Sequence, residues 1–334
     1  MTAEKTRLRD GRGREVSYLR LSVTDRCNLS CMYCRPKDKV PFIPHPDILR
    51  YEEMLDLVSL AHGLGITKVR LTGGEPFARR DLMGFIESLM GRHPDLDLRL
   101  TTNATLLAGK PAALAALGVS AVNISCDSLD PGKFARITGS DRLDAVRKAI
   151  DESLAAGLRV KVNAVALRGV NTDEIGDFVR LAASFPLDVR FIEFMPMGDG
   201  NLWKPENYIS AQEVLELARQ SAALTPEANS HETGGPARMH RIEGGLGRFG
   251  VISPLSEHFC DSCNRLRITA DGKLRTCLFS EREFKLRTLL RNPRLGLPYV
   301  RRVIGLALRD KPLGYEVLNP GSVPEARDMS AIGG

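Results

Sequence analysis

Residues 19–34 read LRLSVTDRCNLSCMYC and join a short strand to a compact group of thiols. Apolar residues at alternate positions, Leu19, Leu21 and Val23, are typical of a β-strand with one buried face. Three cysteines follow directly, with the spacing Cys-x3-Cys-x2-Cys. Active sites of parallel sheets and barrels lie at the carboxyl ends of their strands, so these thiols are expected at that edge. The stretch predicts an α/β fold whose first loop carries metal or redox chemistry.

The same alternation of strand and helix continues along the chain. Apolar residues recurring every three or four positions predict one-sided helices around 54–61, 82–89 and 175–182. Six β-rich runs are predicted as strands: 16–23, 66–72, 96–101, 119–125, 158–166 and 187–194. Six strand–helix units favour a parallel sheet with crossover helices. Such a sheet is either an open doubly wound sheet or all or part of a β/α barrel; since a complete barrel has eight units, the barrel form would be an incomplete (β/α)6 TIM-like barrel.

The pattern changes after residue 235. Residues 239–279 read as short strands and turns, with Gly244-Gly245 and Asp271-Gly272 at hairpin positions. Further helices are predicted at 211–220, 283–291 and 299–308. The sequence thus predicts a barrel over 1–235 and, over 236–334, a β-rich module with late cysteines, terminal helices and a Gly-Gly tail.

Composition narrows the class of protein. Of 334 residues, 43% are hydrophobic and 26% charged, which is typical of a globular chain. No run reaches the roughly 20 apolar residues of a membrane span, and no apolar stretch follows the basic residues near the start. We therefore expect a cytoplasmic protein without a membrane or nucleic-acid partner. Seven cysteines in the reducing cytosol favour metal or redox chemistry over disulfides.

The positive charge is concentrated in one segment. The chain has 47 basic and 41 acidic residues, a net charge of +6. Residues 281–311 alone hold nine Lys or Arg and three acids, so they account for the whole excess. Such a segment indicates either an anionic ligand or acidic partner, or a solvated helix face.

Cys27, Cys31 and Cys34 supply three thiolates from one loop. A 4Fe-4S cluster normally takes four cysteines, so three leave one iron open to a small molecule. A structural zinc site with His45 as its fourth ligand is the alternative. Zinc sites usually show a second closely spaced ligand pair, and the sequence near His45 offers none. The spacing favours the cluster.

Cys260, Cys263 and Cys277 form a second group of three. A second cluster with an open iron fits this group, and so does a Cys3His zinc site completed by His258. Spacing alone does not separate the two. Cys126 stands apart from both groups and is predicted to be a small buried residue of the fourth strand, without chemistry.

The context of both groups resembles known enzymes. The first group, with Tyr33 before its third cysteine and the loop Thr72-Gly73-Gly74-Glu75-Pro76, resembles radical S-adenosylmethionine enzymes. CDSCNRLR at 260–267, RFIEFM at 190–195 and the terminal Gly333-Gly334 resemble one subgroup. That subgroup is the GTP 3′,8-cyclases of molybdenum cofactor biosynthesis, the MoaA family.

This resemblance implies a reaction and its cofactors. The cofactors are two 4Fe-4S clusters, one on each cysteine group, and S-adenosyl-L-methionine. A 5′-deoxyadenosyl radical abstracts the 3′ hydrogen of GTP, and the ribose radical closes on carbon 8 of guanine. Reduction then gives (8S)-3′,8-cyclo-7,8-dihydroguanosine 5′-triphosphate, and the enzyme is a lyase. Implied partners are GTP, an external electron donor and the downstream cyclic pyranopterin monophosphate synthase, with the chain a monomer or homodimer.

The resemblance also implies site residues. Contacts to S-adenosylmethionine fall on Tyr33, Gly74, Ser125 and Met195. Contacts to GTP fall on Arg20, Arg70, Thr101, Lys161, Arg190, Arg265 and Arg267. Catalytic roles fall on Arg265, Arg267, Gly333 and Gly334.

Some positions depart from the family pattern. Ala104 replaces the glycine usual after Thr-Thr-Asn, Cys126 interrupts the common Ser-Leu-Asp, and residues 290–331 follow the family loosely. No departure removes a cysteine ligand. The alternatives are another radical S-adenosylmethionine enzyme, acting on a peptide through an auxiliary cluster, and a zinc-stabilised binding module.

Overall fold

A computed structural model describes residues 7–35, 42–197, 203–228, 235–317 and 329–333. Gly334 lies outside the described residues. The strands are β1 Tyr18–Ser22, β2 Lys68–Thr72, β3 Asp97–Thr102, β4 Ala121–Ser125, β5 Arg159–Ala166, β6 Asp188–Glu193, β7 Leu224–Pro226, β8 Arg238–Ile242, β9 Arg248–Ile252, β10 Arg265–Ile268, β11 Lys273–Arg275 and β12 Phe284–Lys285. The helices are α1 Tyr51–Gly63, α2 Leu82–Arg92, α3 Pro111–Ala116, α4 Pro131–Thr138, α5 Leu143–Ala155, α6 Ile175–Ser184, α7 Ala211–Arg219, α8 Leu286–Leu290, α9 Gly296–Arg309, α10 Gly314–Val317 and α11 Met329–Ile332.

These strands form one sheet in the order β12-β11-β10-β1-β2-β3-β4-β5-β6-β9-β8-β7. β1 to β6 are consecutive and parallel, as the six predicted strand–helix units require. Within the described residues the end strands β12 and β7 do not pair, so the barrel is incomplete. The predicted fold class is confirmed.

Helices cover one face of the sheet through their apolar stripes. In α6, for example, Ile175, Phe178, Val179 and Ala182 are buried at the spacing read from the sequence. The buried apolar residues of these helices and of the strands belong to one large core cluster. Among the described residues, no helix combines the length and the apolar composition of a membrane span.

The late strands extend the main sheet at both ends. β10 pairs in parallel with β1, and β9 pairs in parallel with β6. The two predicted hairpins are confirmed, since β8 pairs with β9 and β10 with β11 in antiparallel fashion. The domain limits 1–235 and 236–334 stay a prediction, while the hydrogen-bonded sheet is continuous across them.

Two local predictions need correction. The helix predicted at 283–291 is shorter: Phe284 pairs with Leu274 in β12, and only Leu286–Leu290 is helical. A strand this short shows no alternation, so the pattern hid it. Cys126 directly follows β4 rather than lying in it, although it is buried as expected. Ala104 has a φ of 62°, the left-handed region that explains why glycine is usual there.

Candidate functional site

One cavity of about 340 Å³ extends from the first residues of β1 and β2, Tyr18 and Lys68, to the loops that follow the strands, and it brings the predicted site residues together. It is lined by all six grouped cysteines, Cys27, Cys31, Cys34, Cys260, Cys263 and Cys277. The four predicted S-adenosylmethionine contacts also line it: Tyr33, Gly74, Ser125 and Met195. So do the seven predicted GTP contacts: Arg20, Arg70, Thr101, Lys161, Arg190, Arg265 and Arg267.

The first cysteine loop follows β1 and is fixed by short polar contacts. The Leu29 amide and the Asn103 side-chain amide donate to the Cys27 sulfur at 3.5 and 3.6 Å. The Tyr33 hydroxyl donates to Asp127 at 2.7 Å. Burial raises the pKa of Cys27 and raises that of Cys31 strongly. These thiols therefore ionise when a metal takes up the charge, and the N–H groups aimed at sulfur suit cluster ligands.

The Gly73-Gly74 turn packs against this loop. A Cβ atom on Gly74 would lie 2.4 Å from the Arg26 carbonyl oxygen, so only glycine allows the approach. The next residue, Glu75, is fully buried, and its carboxylate accepts a hydrogen bond from the backbone N–H of Asn103 at 2.7 Å. Burial raises the pKa of Glu75 to about 7. The motif thus joins the β2 turn to the loop that carries the thiols.

The second cysteine group faces the same cavity from the β10 end of the sheet. Burial raises the pKa of Cys263, but the Arg265 and Lys311 cations outweigh this effect and bring the pKa to about 6. Cys263 is therefore largely a thiolate at neutral pH, the form that binds metal. Burial raises the pKa of Cys277. The Arg265 guanidinium lies over the Phe259 ring, 4.8 Å from its centroid.

Within each cysteine group the thiols are close enough to interact electrostatically, as ligands of a shared metal centre must be. None of the seven cysteines, all of which are described, forms a disulfide. In the described part of the chain, no three His, Cys, Asp or Glu side chains converge on one metal ion. A 4Fe-4S cluster places its cysteines on different irons, so it does not need such convergence. Neither His45 nor His258 lines the cavity, so the zinc alternatives gain no support.

The cavity wall is strongly cationic. Among the described residues, two with carboxylates line it, Asp127 and Glu193. The described part of the chain also contributes ten cationic residues to the wall: Arg14, Arg20, Lys68, Arg70, Arg99, Lys161, Arg190, Arg265, Arg267 and Lys311. Cations packed this closely disfavour one another unless an anion separates them. The wall therefore suits a polyanionic ligand.

The burial and pKa values of individual cations also indicate an anionic ligand. Arg190 is 5% exposed, and its Nε and Nη2 find no hydrogen-bond partner among the described residues. Burial, reinforced by Arg70, lowers the pKa of Arg190 to about 10. Burial and Arg190 lower that of Lys161 to about 7. Buried donors without partners indicate where a ligand supplies acceptors.

Several residues that line the cavity were not predicted from the sequence. Tyr18 and Lys68 each lie two positions before a predicted contact on the same strand, and Arg99 lies two before Thr101. Strand alternation puts such pairs on one face, so the period of two was the signal that could have found them. Burial raises the pKa of Tyr18, but Arg70 and Arg20 outweigh this and bring it to about 8.

The C-terminal tail reaches this region. The Gly333 carbonyl accepts from the Thr72 hydroxyl at 3.0 Å and from Arg267 Nη1 at 3.4 Å. Gly333 has a φ of +84°, and a Cβ there would lie 2.7 Å from Ser22 Cβ. The tail is therefore docked against β1, β2 and β10.

Solved structures share the fold. The chain superposes on Streptococcus suis SuiB with a TM-score of 0.62 at 15% identity, covering 96% of this chain and 78% of that one. It superposes on native anSMEcpe with bound AdoMet with a TM-score of 0.55 at 16% identity, covering 83% and 81%. These similarities establish the fold alone.

Sequence comparisons are more specific. The family model described as Radical SAM superfamily matches residues 21–182, and Molybdenum Cofactor Synthesis C matches 187–317. The GTP 3′,8-cyclase of Syntrophomonas wolfei is 44% identical, covering 97% of this chain and 99% of the relative. That of Thermodesulfovibrio yellowstonii is 42% identical, covering 98% and 100%. The chain belongs to the GTP 3′,8-cyclase family of radical S-adenosylmethionine enzymes.

Proposed function

We propose that this chain converts GTP into (8S)-3′,8-cyclo-7,8-dihydroguanosine 5′-triphosphate, the first step of molybdenum cofactor biosynthesis. The observation that carries the proposal is the single cavity in which two groups of three thiols face ten cations. Full-length identity to curated GTP 3′,8-cyclases supports the same reaction.

The cations account for the choice of substrate. Arg20, Arg70 and Arg190, with Lys161 beside them, hold the triphosphate, because guanidinium groups bind phosphate oxygens in pairs. Thr101 adds a hydroxyl on the neighbouring strand β3. The guanine base points toward the second cysteine group, beside Arg265 and Arg267. GTP thus spans the cavity between the two ends of the sheet.

The cysteines and the strand ends hold the cofactors. Cys27, Cys31 and Cys34 hold one 4Fe-4S cluster, and a second cluster sits on Cys260, Cys263 and Cys277. S-adenosylmethionine binds beside the first cluster, against Tyr33, Gly74, Ser125 and Met195. When bound, this cluster and S-adenosylmethionine would supply the 5′-deoxyadenosyl radical that removes the 3′ hydrogen of GTP and leaves as 5′-deoxyadenosine. Carbon 3′ would then bond to carbon 8, and one electron from the external donor with one proton would complete the 7,8-dihydro product.

The remaining role of the chain is to orient GTP and exclude water. A carbon radical attacks neighbouring bonds, so the site must be enclosed. Gly333 is docked against Thr72 and Arg267 and keeps the Arg267 guanidinium in place. We propose a catalytic role for Gly334 as well, a residue that lies outside the described residues. We further propose that an external donor supplies the electrons and that the product passes to cyclic pyranopterin monophosphate synthase. The chain would act as a monomer or homodimer in the cytoplasm.

Anaerobic reconstitution tests the proposal. Iron and zinc are quantified per chain, and the protein is then incubated with S-adenosylmethionine, a strong reductant and GTP before mass spectrometry. We expect about eight irons, as two four-iron clusters supply, and a cyclised product that requires GTP and S-adenosylmethionine together. Four irons with one zinc would overturn the second cluster. 5′-Deoxyadenosine without cyclised nucleotide would overturn the substrate and leave the peptide alternative standing.

A further inference from the structure

Lys311 is the buried member of the basic segment 281–311. Three arginines of this segment form ion pairs with carboxylates: Arg282 with Asp310, Arg287 with Asp47 and Arg291 with Glu53. Lys311 is different, because it is 3% exposed and lines the cavity. A buried ammonium group is costly unless its charge and its three N–H donors are satisfied.

Three groups around the second cysteine site satisfy those donors. Lys311 Nζ donates to the Arg265 carbonyl at 2.8 Å and to the Thr276 carbonyl at 2.7 Å. It also donates to the Cys263 sulfur at 3.5 Å. Arg265 is two residues after Cys263, and Thr276 directly precedes Cys277. One nitrogen atom therefore ties together the two chain segments that carry these cysteines.

The third cysteine is tied to Lys311 through Arg14. Arg14 Nη1 donates to the Cys260 carbonyl at 2.7 Å, and its Nη2 donates to the Lys311 carbonyl at 3.0 Å. Two cations of the cavity wall, Lys311 and Arg14, thus hold the second cysteine group through hydrogen bonds to its sulfur and backbone atoms.

The charge of Lys311 points to the same site. Among the described residues, no carboxylate lies within 4.0 Å of its ammonium, so no ion pair balances it. Of the described groups that can carry negative charge, the Cys263 thiol, 3.5 Å from Nζ, attracts the Lys311 charge most strongly. A cluster held by three thiolates is negative overall and becomes more negative when reduced. An adjacent ammonium group therefore stabilises the loaded site and favours its reduced form.

We propose that Lys311 is a positioning residue of the second cluster. Its ammonium group fixes the chain around the cysteines through the Arg265 and Thr276 carbonyls, and its positive charge offsets the negative charge of the cluster. The inference rests on the proposed function, since it requires a cluster on Cys260, Cys263 and Cys277. Lys311 is then the residue of the basic segment that acts at the site. Because its ammonium group binds the Arg265 carbonyl, Lys311 also helps to position Arg265.

Lys311→Met tests this in the reconstituted full-length protein. Partners behind metal ligands typically contribute 10- to 100-fold to metal affinity. Under challenge with an iron chelator, we therefore expect the second cluster to be lost about tenfold faster, with the first cluster and S-adenosylmethionine binding unchanged. Lys285→Met, an exposed lysine on the same segment, is the matched control and should behave as wild type. Equal rates of iron loss in Lys311→Met and wild type would overturn the proposal.

Lys311→Gln separates charge from hydrogen bonding, because the amide keeps two donors. We expect it to retain iron better than Lys311→Met and still to require a lower potential for reduction of the second cluster. A reduction potential equal to that of wild type would contradict the charge effect.

Isotope labelling tests the contact without any variant, in protein that carries 15N-lysine. The reduced second cluster should show a 15N coupling in pulsed electron paramagnetic resonance, and absence of that coupling would overturn the contact even if both variants fail to fold.

The outcomes distinguish this proposal from the function. If wild-type protein binds only about four irons, the second cluster itself is wrong. If wild-type protein binds two clusters and cyclises GTP while Lys311→Met retains iron like wild type, only the role of Lys311 is wrong.

Discussion

Arg190 is arranged to bind a ligand, and in the ligand-free protein its buried charge lowers the free energy of unfolding. Its buried guanidinium has two donor atoms without partners among the described residues. Charged hydrogen bonds contribute about 1.5–3 kcal/mol, so Arg190→Met should weaken GTP binding about 10- to 100-fold. The same change removes a buried charge that desolvation and Arg70 disfavour more than Asp188 stabilises it, and it should raise the Tm of the ligand-free protein.

Calorimetric titration with GTP and a thermal scan without it measure the two effects. Arg180→Met is the control, because Arg180 is an exposed partner of Asp177 on α6. A variant that binds GTP like wild type would remove Arg190 from the triphosphate site.

Lys161 provides a prediction on pH. Burial and Arg190 lower its pKa to about 7, so the amine is mostly neutral at pH 8 and charged below pH 7. A bound triphosphate favours the charged form and raises the pKa again. GTP binding at pH 8 should therefore take up a proton, and affinity should fall as the pH rises through 7.

Titrations in buffers of different ionisation enthalpy measure this uptake. Lys161→Arg keeps its charge at every accessible pH and should reduce the uptake, while the exposed Lys148→Met should not. Equal uptake in Lys161→Arg and wild type would place the titrating group elsewhere.

At the scale of elements, the docked end of α11 depends on glycine. A Cβ on Gly333 would meet Ser22 and Thr72, and its φ of +84° is unfavourable for other residues. Gly333→Ala should therefore displace the tail and release Arg267 from the Gly333 carbonyl. A misplacement near 1 Å costs about a hundredfold in rate, so cyclisation should fall by about that factor while both clusters persist.

Product formation and iron content, measured together, check this expectation. Gly305→Ala on α9 is the matched control, because nothing lies within 4 Å of the Cβ it would add. Wild-type turnover of Gly333→Ala would show that the tail is dispensable.

The elements also show how far the sequence could predict the fold. The first six strands lie within two residues of their predicted limits, because alternation over five or more residues is a strong signal. The joining of β9 and β10 to opposite ends of the barrel was not predictable, since a sequence pattern does not specify which strands pair. Arg99 and Lys68 could have been predicted, because each lies two positions before a predicted contact on its own strand and so on the same face of the sheet. Lys311 was not identified because nothing local indicates that this lysine is buried.

At the scale of the whole molecule, a continuous sheet brings two distant cysteine groups to one cavity. β1 leads into the first group, and its neighbour β10 follows Cys260 and Cys263, although about 240 residues separate them in sequence. The β1–β10 pairing is made by backbone atoms of Tyr18–Leu21 and Arg265–Ile268, and none of the six grouped cysteines lies in these paired segments. Loss of one cluster should therefore leave the other cluster and the fold in place.

Single cysteine variants test this independence. Cys27→Ala and Cys277→Ala should each lose about half of the iron, since each removes a ligand of one of two four-iron clusters. Cys27→Ala should also abolish cleavage of S-adenosylmethionine, whereas Cys277→Ala should keep that cleavage and lose GTP affinity. Cys126→Ala, at a buried cysteine outside both groups, should keep all the iron. Full iron and full GTP affinity in Cys277→Ala would refute the second site, and loss of all iron in either variant would show that the two clusters form cooperatively.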